Sequence, residues 1–306
     1  MILCCGEALI DMLPRVSQEG ELAFAPYAGG AVFNTSIALG RLEAKPGFFC
    51  GLSTDLFGEL LETKLTEADV ASDLAFRSAR PTTLAFVRLN DGHASYTFYD
   101  ENSALRVMTE ADLPTLPADI SALFFGGISL VGEPCGTAYE ALLSREAASC
   151  VTMIDPNIRP SFITDRDGYI ARIKSMMAMS DVVKLSDEDM HWLEGEGDLD
   201  TLASDLIARG TKVVLITQGS EGAIGYTAQH RIVVPANKVE VVDTVGAGDT
   251  FNAGFLAGLQ QAGALDKATL AALPEDTLRD ALTLGIRTAA ITVSRAGANP
   301  PWAHEL

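Results

Sequence analysis

Short apolar runs return along the chain at 2–5, 48–50, 123–125, 151–154, 182–185 and 213–217, each too brief for a helix. Amphipathic segments at 33–41, 56–67, 138–146, 169–177, 199–209, 248–261 and 278–294 separate most of them. A strand that is apolar along its whole length is buried on both faces, and a helix after it carries the chain back to begin a parallel neighbour. The alternation therefore predicts an α/β fold: a doubly wound, mostly parallel sheet flanked by helices. With 306 residues, 48% of them hydrophobic, the chain suffices for one large domain and a substantial core.

One region breaks the rhythm. The stretches 83–89 and 94–100 both alternate in strand fashion and are joined by Asp91-Gly92, a strong hairpin signal, with no helix between them. The segment 11–27 is rich in turn residues and short of helical periodicity. Together these pieces predict a small β-sheet standing apart from the main one, a lid built from discontinuous segments at about 11–30 and 82–104 within a single domain spanning 1–306.

Charge narrows the partners. Lys and Arg total 22 against 41 Asp and Glu, and a formal charge of −19 repels phosphate backbones and anionic lipid, so nucleic acid and membrane surfaces are not expected. Cys4, Cys5, Cys50, Cys135 and Cys150 form no C-x-x-C pair and no Cys/His cluster, which reads as reduced, buried thiols. No basic segment precedes Cys4, Glu7 and Asp11 interrupt the first apolar stretch, and no apolar run is long enough to span a bilayer. A cytoplasmic location is expected.

The chemistry concentrates in one string. A strand-like segment, 239–242, runs into Asp243-Thr244-Val245-Gly246-Ala247-Gly248-Asp249-Thr250-Phe251, and a helical pattern takes over at once. Small residues at 246–248 permit a sharp turn that gathers amide N–H groups at a helix amino terminus, where a phosphoryl group and its developing charge are stabilised. Asp249, beside that anion hole, is a candidate base for an attacking hydroxyl, or else a helix cap.

The full string resembles the carboxy-terminal signature of the PfkB (ribokinase-like) family of carbohydrate kinases, and Ala28-Gly29-Gly30-Ala31-Val32-Phe33-Asn34-Thr35 resembles its amino-terminal signature. The resemblance runs from Gly6-Glu7-Ala8-Leu9-Ile10-Asp11 to Ser294-Arg295-Ala296-Gly297-Ala298. It implies a ribokinase-like fold, ATP as phosphoryl donor and a magnesium ion. Asp249 would be the base, with Gly246, Ala247 and Gly248 as the anion hole, while Asp11, Gly30 and Asn34 would bind sugar hydroxyls. Thr217-Gln218-Gly219-Ser220-Glu221-Gly222 resembles the nucleotide-facing turn, so Lys184, Thr217, Gly219, Gly222, Gly246 and Gly248 are the implied nucleotide contacts. Asp243, Val245 and Gly297 stand where relatives hold a monovalent cation such as potassium.

The chain departs from the family at Ser186-Asp187-Glu188-Asp189, where many relatives carry Asn-x-x-Glu to order the magnesium waters. Asp189 takes the place of that glutamate, and Glu188 is its rival. Asp155-Pro156-Asn157-Ile158-Arg159 resembles a segment of fructokinases and 2-keto-3-deoxygluconate kinases, with Arg159 as a fork of donors to sugar or phosphate. Kinases of the acid sugar usually carry Arg where this chain has Asp100, and an aspartate facing the sugar would repel its carboxylate. Phe98 would close over the apolar face of the sugar. The reading favours a neutral sugar, most of all fructose, over 2-keto-3-deoxygluconate, ribose, adenosine or a silent sugar-binding regulator. Phe24, Phe86 and Phe98 supply apolar lid surface, from which a homodimer joined through the lids is expected.

Overall fold

The computed structural model describes residues 1–90 and 93–306, with side chains outside 89–95. The chain opens with β1 (Ile2–Cys5), β2 (Leu9–Val16), β3 (Leu22–Gly29), α1 (Ala31–Arg41), β4 (Gly47–Phe49), β5 (Gly51–Ser53), α2 (Leu56–Glu67), β6 (Phe76–Ser78), β7 (Leu84–Asn90) and β8 (His93–Tyr99). It continues with β9 (Ala122–Gly126), α3 (Cys135–Glu146), β10 (Val151–Asp155), α4 (Arg166–Met179), β11 (Val182–Ser186), α5 (Asp187–Glu194) and α6 (Leu199–Ala208). The last elements are β12 (Val213–Thr217), β13 (Ala223–Tyr226), β14 (Arg231–Val234), α7 (Ala247–Gln261), α8 (Lys267–Ala271) and α9 (Glu275–Val293).

The apolar runs form the main sheet, in the order β14-β13-β12-β11-β10-β9-β1-β4. It is parallel from β4 to β12, and β13 and β14 close one edge antiparallel. Every residue of β9 and β10 is buried, as strands covered on both faces require. The fold is the expected α/β one.

A separate sheet has the order β3-β2-β7-β8, with β2 antiparallel to β3 and parallel to β7. Leu84 of β7 lies opposite Tyr99 of β8 in an antiparallel ladder, while the Asp91-Gly92 turn lies outside the described residues. A short parallel pair, β5 and β6, stands to the side.

One expected strand is absent. Residues 239–242 join no sheet, and Val239, Val241 and Val242 are exposed. Their apolar character suits a strand, but this segment leaves the edge strand β14 and crosses to α7, tied by the Val242 N–H to the Val293 carbonyl rather than by a ladder. Period and composition cannot distinguish those two paths.

Close helix packing fixes α7. A Cβ on Gly254 would lie 2.8 Å from the Cα of Gly285 on α9, and one on Gly258 would lie 2.7 Å from the Cα of Ala281. The two glycines let α7 press its backbone against α9, which sets the direction in which its amino end points.

Candidate active site

A cavity of about 320 Å³ lies where the second sheet meets the carboxyl edge of the main one. Leu9, Asp11, Tyr96 and Phe98 come from the second sheet, Gly30 and Asn34 from the start of α1, and Arg159 from the loop after β10. The segment from Thr244 to Asp249 completes the wall. Elements separated by some 240 residues thus converge at a sheet edge of the kind that binds ligands in doubly wound folds.

Gly246 is the N-cap of α7, in a left-handed conformation with φ of 80°, and no side chain caps the helix. A Cβ there would strike Ala298 at 2.7 Å. The first helical amides therefore face the cavity without a side-chain acceptor, although the Ala247 N–H leans toward the Thr244 carbonyl at 3.3 Å. A helix terminus left open in this way can receive an anion.

Asp249 is buried within the first turn of α7, and the Asn34 amide donates to its Oδ2 at 2.9 Å. The Thr35 hydroxyl lies 3.0 Å from the Asp249 carbonyl and ties α1 to α7 beneath the carboxylate. Burial raises the Asp249 pKa to about 6, the Asn34 hydrogen bond opposes the rise, and the Asp155 charge adds to it. A carboxylate tuned toward neutrality from below remains ionised at pH 7 while gaining basicity, which suits a general base. Asp11, on β2, is also raised to about 6 by burial.

Lys184 sits below this turn. Its ammonium is 2.9 Å from Asp155 Oδ2, both side chains are nearly fully buried, and a Cβ on Gly248 would lie 3.2 Å from its Nζ. The Asn252 amide reaches the same Asp155 oxygen at 2.7 Å, one turn of α7 beyond Asp249. The Asp189 pKa is raised by burial and by the nearby Asp155 charge, with Lys184 opposing; Asp189 does not line the cavity. Glu188 is exposed.

Two other groups are brought together. Asp243 accepts from the Val245 N–H at 3.0 Å and, with its other oxygen, from the Gly297 N–H at 2.9 Å. Phe98 packs edge-on against Phe162, centroids 4.6 Å apart, and stacks with Tyr96. Arg159 donates to the carbonyls of Asn157 and Ile158 and turns toward the cavity. Thr217, Gly219 and Gly222 lie at the β12–β13 turn, outside the cavity wall. Both glycines have positive φ, 50° and 107°.

Asp100 departs from its expectation. Its carboxylate is 2.6 Å from the Arg106 guanidinium and does not line the cavity. Arg106 also donates to the Glu133 carbonyl, so the pair belongs to a structural contact beyond the end of β8. A paired charge off the cavity wall repels no acid sugar.

Glu7, Asp155 and Asn252 are site-building residues that the sequence reading did not select. Asn252 carries a signal, three residues after Asp249 and so on the same helix face. Glu7 carries another, as one acid between an apolar strand and Ala8-Leu9-Ile10.

The protein-family model for "pfkB family carbohydrate kinase" matches residues 1–305. A "Fructokinase" of Rhizobium leguminosarum bv. trifolii is 55% identical over 280 residues, covering 92% of this chain and 86% of that one. "Fructokinase-1" of Oryza sativa subsp. japonica is 32% identical over 317 residues, covering 100% and 95%. Among solved structures, the fructokinase of Xylella fastidiosa with bound ATP superposes with a TM-score of 0.89 at 29% identity, covering 97% of this chain and 93% of that one. The match over nearly the full length, joined to a carboxylate set in the amino end of α7 at the sheet edge, leaves one assignment: this chain is a carbohydrate kinase of the pfkB family.

Proposed function

We propose that the chain is an ATP-dependent fructokinase that transfers the γ-phosphoryl group of ATP to a primary hydroxyl of fructose. The observation that carries the reading is Asp249, a buried carboxylate at the amino end of α7 with Asn34 bonded to it. Fructose as acceptor rests on the 55% identical relative rather than on any charge in the site. The sugar lies among Asp11, Gly30, Asn34, Phe98 and Arg159. Asp249 accepts the proton of the attacking hydroxyl, and the amides of Gly246, Ala247 and Gly248 receive charge on the moving phosphoryl group. Lys184, paired with Asp155, supports that turn from below, and Thr217, Gly219 and Gly222 accommodate the nucleotide.

The donors present suit a magnesium ion that keeps most of its waters. Among the described residues no group of three or more His, Cys, Asp and Glu side chains forms a metal cage, and Asp189, destabilised as an anion by burial and by Asp155, gains from a cation nearby. When bound, the ion neutralises charge on the phosphates. Asp189, rather than the exposed Glu188, would orient its water shell. Asp243 with the Val245 and Gly297 backbone is the candidate monovalent-cation site.

The second sheet acts as a lid in this reading. Val16, Leu22, Tyr27, Tyr96 and Tyr99 expose apolar surface on it, which fits a homodimer joined through the lids. Among the described residues no helix is long and apolar enough to cross a membrane, and the five cysteines are free and buried, as suits a cytoplasmic enzyme. Release of ADP is measured with fructose, ribose, adenosine and 2-keto-3-deoxygluconate, with magnesium and with chelator. Magnesium-dependent turnover that is greatest with fructose is expected; turnover in chelator, or preference for another acceptor, overturns the reading. Light scattering that shows a monomer at micromolar concentration, with and without fructose, overturns the dimer.

A further inference from the structure

Glu7 follows β1 and is 1% exposed, yet its side chain reaches the cavity wall. Among the described residues no Lys or Arg pairs with it. Its Oε1 accepts from the Ala31 N–H at 2.7 Å and the Val32 N–H at 3.4 Å, and its Oε2 accepts from the Ser129 N–H at 3.2 Å. One carboxylate thus joins the amino end of α1 to the short turn Gly127–Leu130.

A helix cap alone would not need this arrangement. The N-cap of α1 is Gly30, which offers no side chain, and a Ser or Asp there would ordinarily cap the helix without burying a carboxylate. Position 30 does not admit one: its φ is 112°, and a Cβ would lie 2.8 Å from the Glu7 carbonyl. Gly127, with φ of 69°, is pressed against the Glu7 carboxylate in the same way. The fold keeps bare backbone at the cavity wall and supplies the cap from a distance. The segments so capped both face the cavity, through Gly30 and Asn34 on one side and Ile128 on the other. Asn34 in turn bonds Asp249.

We propose that Glu7 is a positioning residue for the acceptor: it locks α1 and the Gly127–Leu130 turn in the arrangement that presents the sugar hydroxyl to Asp249. The proposal rests on the kinase reading given above. It differs from a purely structural role in what it controls. A lost cap lowers stability, whereas a lost position weakens the sugar without touching the nucleotide and lets water compete for the phosphoryl group.

The test uses full-length Glu7→Gln and Glu7→Asp. The first puts an amide donor against an N–H donor, and the second keeps the charge but shortens the reach. For Glu7→Gln the fructose KM is expected to rise by about tenfold or more, with the ATP KM within about twofold of wild type. More than one ADP should form per fructose phosphate, and Glu7→Asp should fall between. Unchanged fructose KM and one-to-one coupling in a variant that merely melts earlier would overturn the proposal. If neither variant folds, amide exchange in the wild type decides. Fructose should slow exchange at Ala31, Val32 and Ser129 together, and no slowing, or slowing at Ser129 alone, overturns it. A wild-type chain that phosphorylates no sugar refutes the kinase reading and this proposal with it; an active wild type with unaltered variants refutes only the proposal.

Discussion

Replacing Asn34 with alanine removes the one side-chain hydrogen bond that the Asp249 carboxylate accepts among the described residues. That bond favours the ionised form, so its loss raises the pKa of Asp249 above the value of about 6 it has with Asn34 in place. A hydrogen bond to a charged group contributes about 1.5–3 kcal/mol, and each pKa unit is about 1.4 kcal/mol, so the rise is about 1–2 units. Water entering the emptied space favours the lower end. The assay is kcat/KM for fructose from pH 5 to 9, which reports groups of the free enzyme. A base is active above its pKa, and activity falls as pH drops through it. Asp11, raised by burial to about 6, and Glu7, raised by burial to about 7 against the pull of its backbone N–H bonds, titrate on the same acid limb. Neither is bonded to Asn34, so the displacement of the limb, rather than its position, is diagnostic. In Asn34→Ala the Asp249 component is expected to rise to about pH 7–8, level with or above that of Glu7, so that the acid limb steepens or moves up. A limb with the position and the steepness of the wild type would show that Asn34 does not tune the base.

Two further predictions follow from packing and charge. Gly254→Ala places a methyl 2.5 Å from Thr288 Oγ1 and 2.8 Å from the Gly285 Cα, between two helix backbones that cannot part independently. Overpacking of this kind costs about 1–3 kcal/mol, read as a lower urea midpoint, and an unchanged midpoint would refute the close α7–α9 contact. Asp100→Asn is expected to alter the ratio of kcat/KM for fructose to that for 2-keto-3-deoxygluconate by less than about threefold, because the charge is paired with Arg106 away from the cavity and screened. A larger change would restore Asp100 to the site.

The parallel sheet and the helices read between its strands were legible because those strands are short, mostly apolar runs, despite Asp155 in β10 and Lys184 in β11, and those helices are amphipathic. Those elements appear within three residues of their expected ends. The short edge strands β13 and β14 and the pair β5 and β6 were not, since runs of three or four residues carry no usable period. Residues 239–242 show the converse: an apolar run with no neighbour to pair with is no strand. Asp249, the glycine turn before it, Asn34 and Asp11 were legible because the turn, the helix start and the carboxylate are contiguous or fall in one motif. Asp100 was misread because a sequence shows a charge but not its partner, here Arg106 only six residues on. Glu7 was missed because its partners are backbone N–H groups 24 and 122 residues away, and these leave no residue-type imprint.

In the proposed reaction Asp249 takes the proton of the sugar hydroxyl. The most direct measurement is single-turnover formation of fructose phosphate by Asp249→Asn, with fructose and nucleotide binding followed by calorimetry on the same protein. The amide keeps the shape and cannot accept the proton. Binding of both ligands within a few-fold of wild type, with the chemical step slowed by about two to four orders of magnitude, is the predicted result. A variant that retained more than a tenth of the wild-type rate at saturating fructose would contradict the assignment.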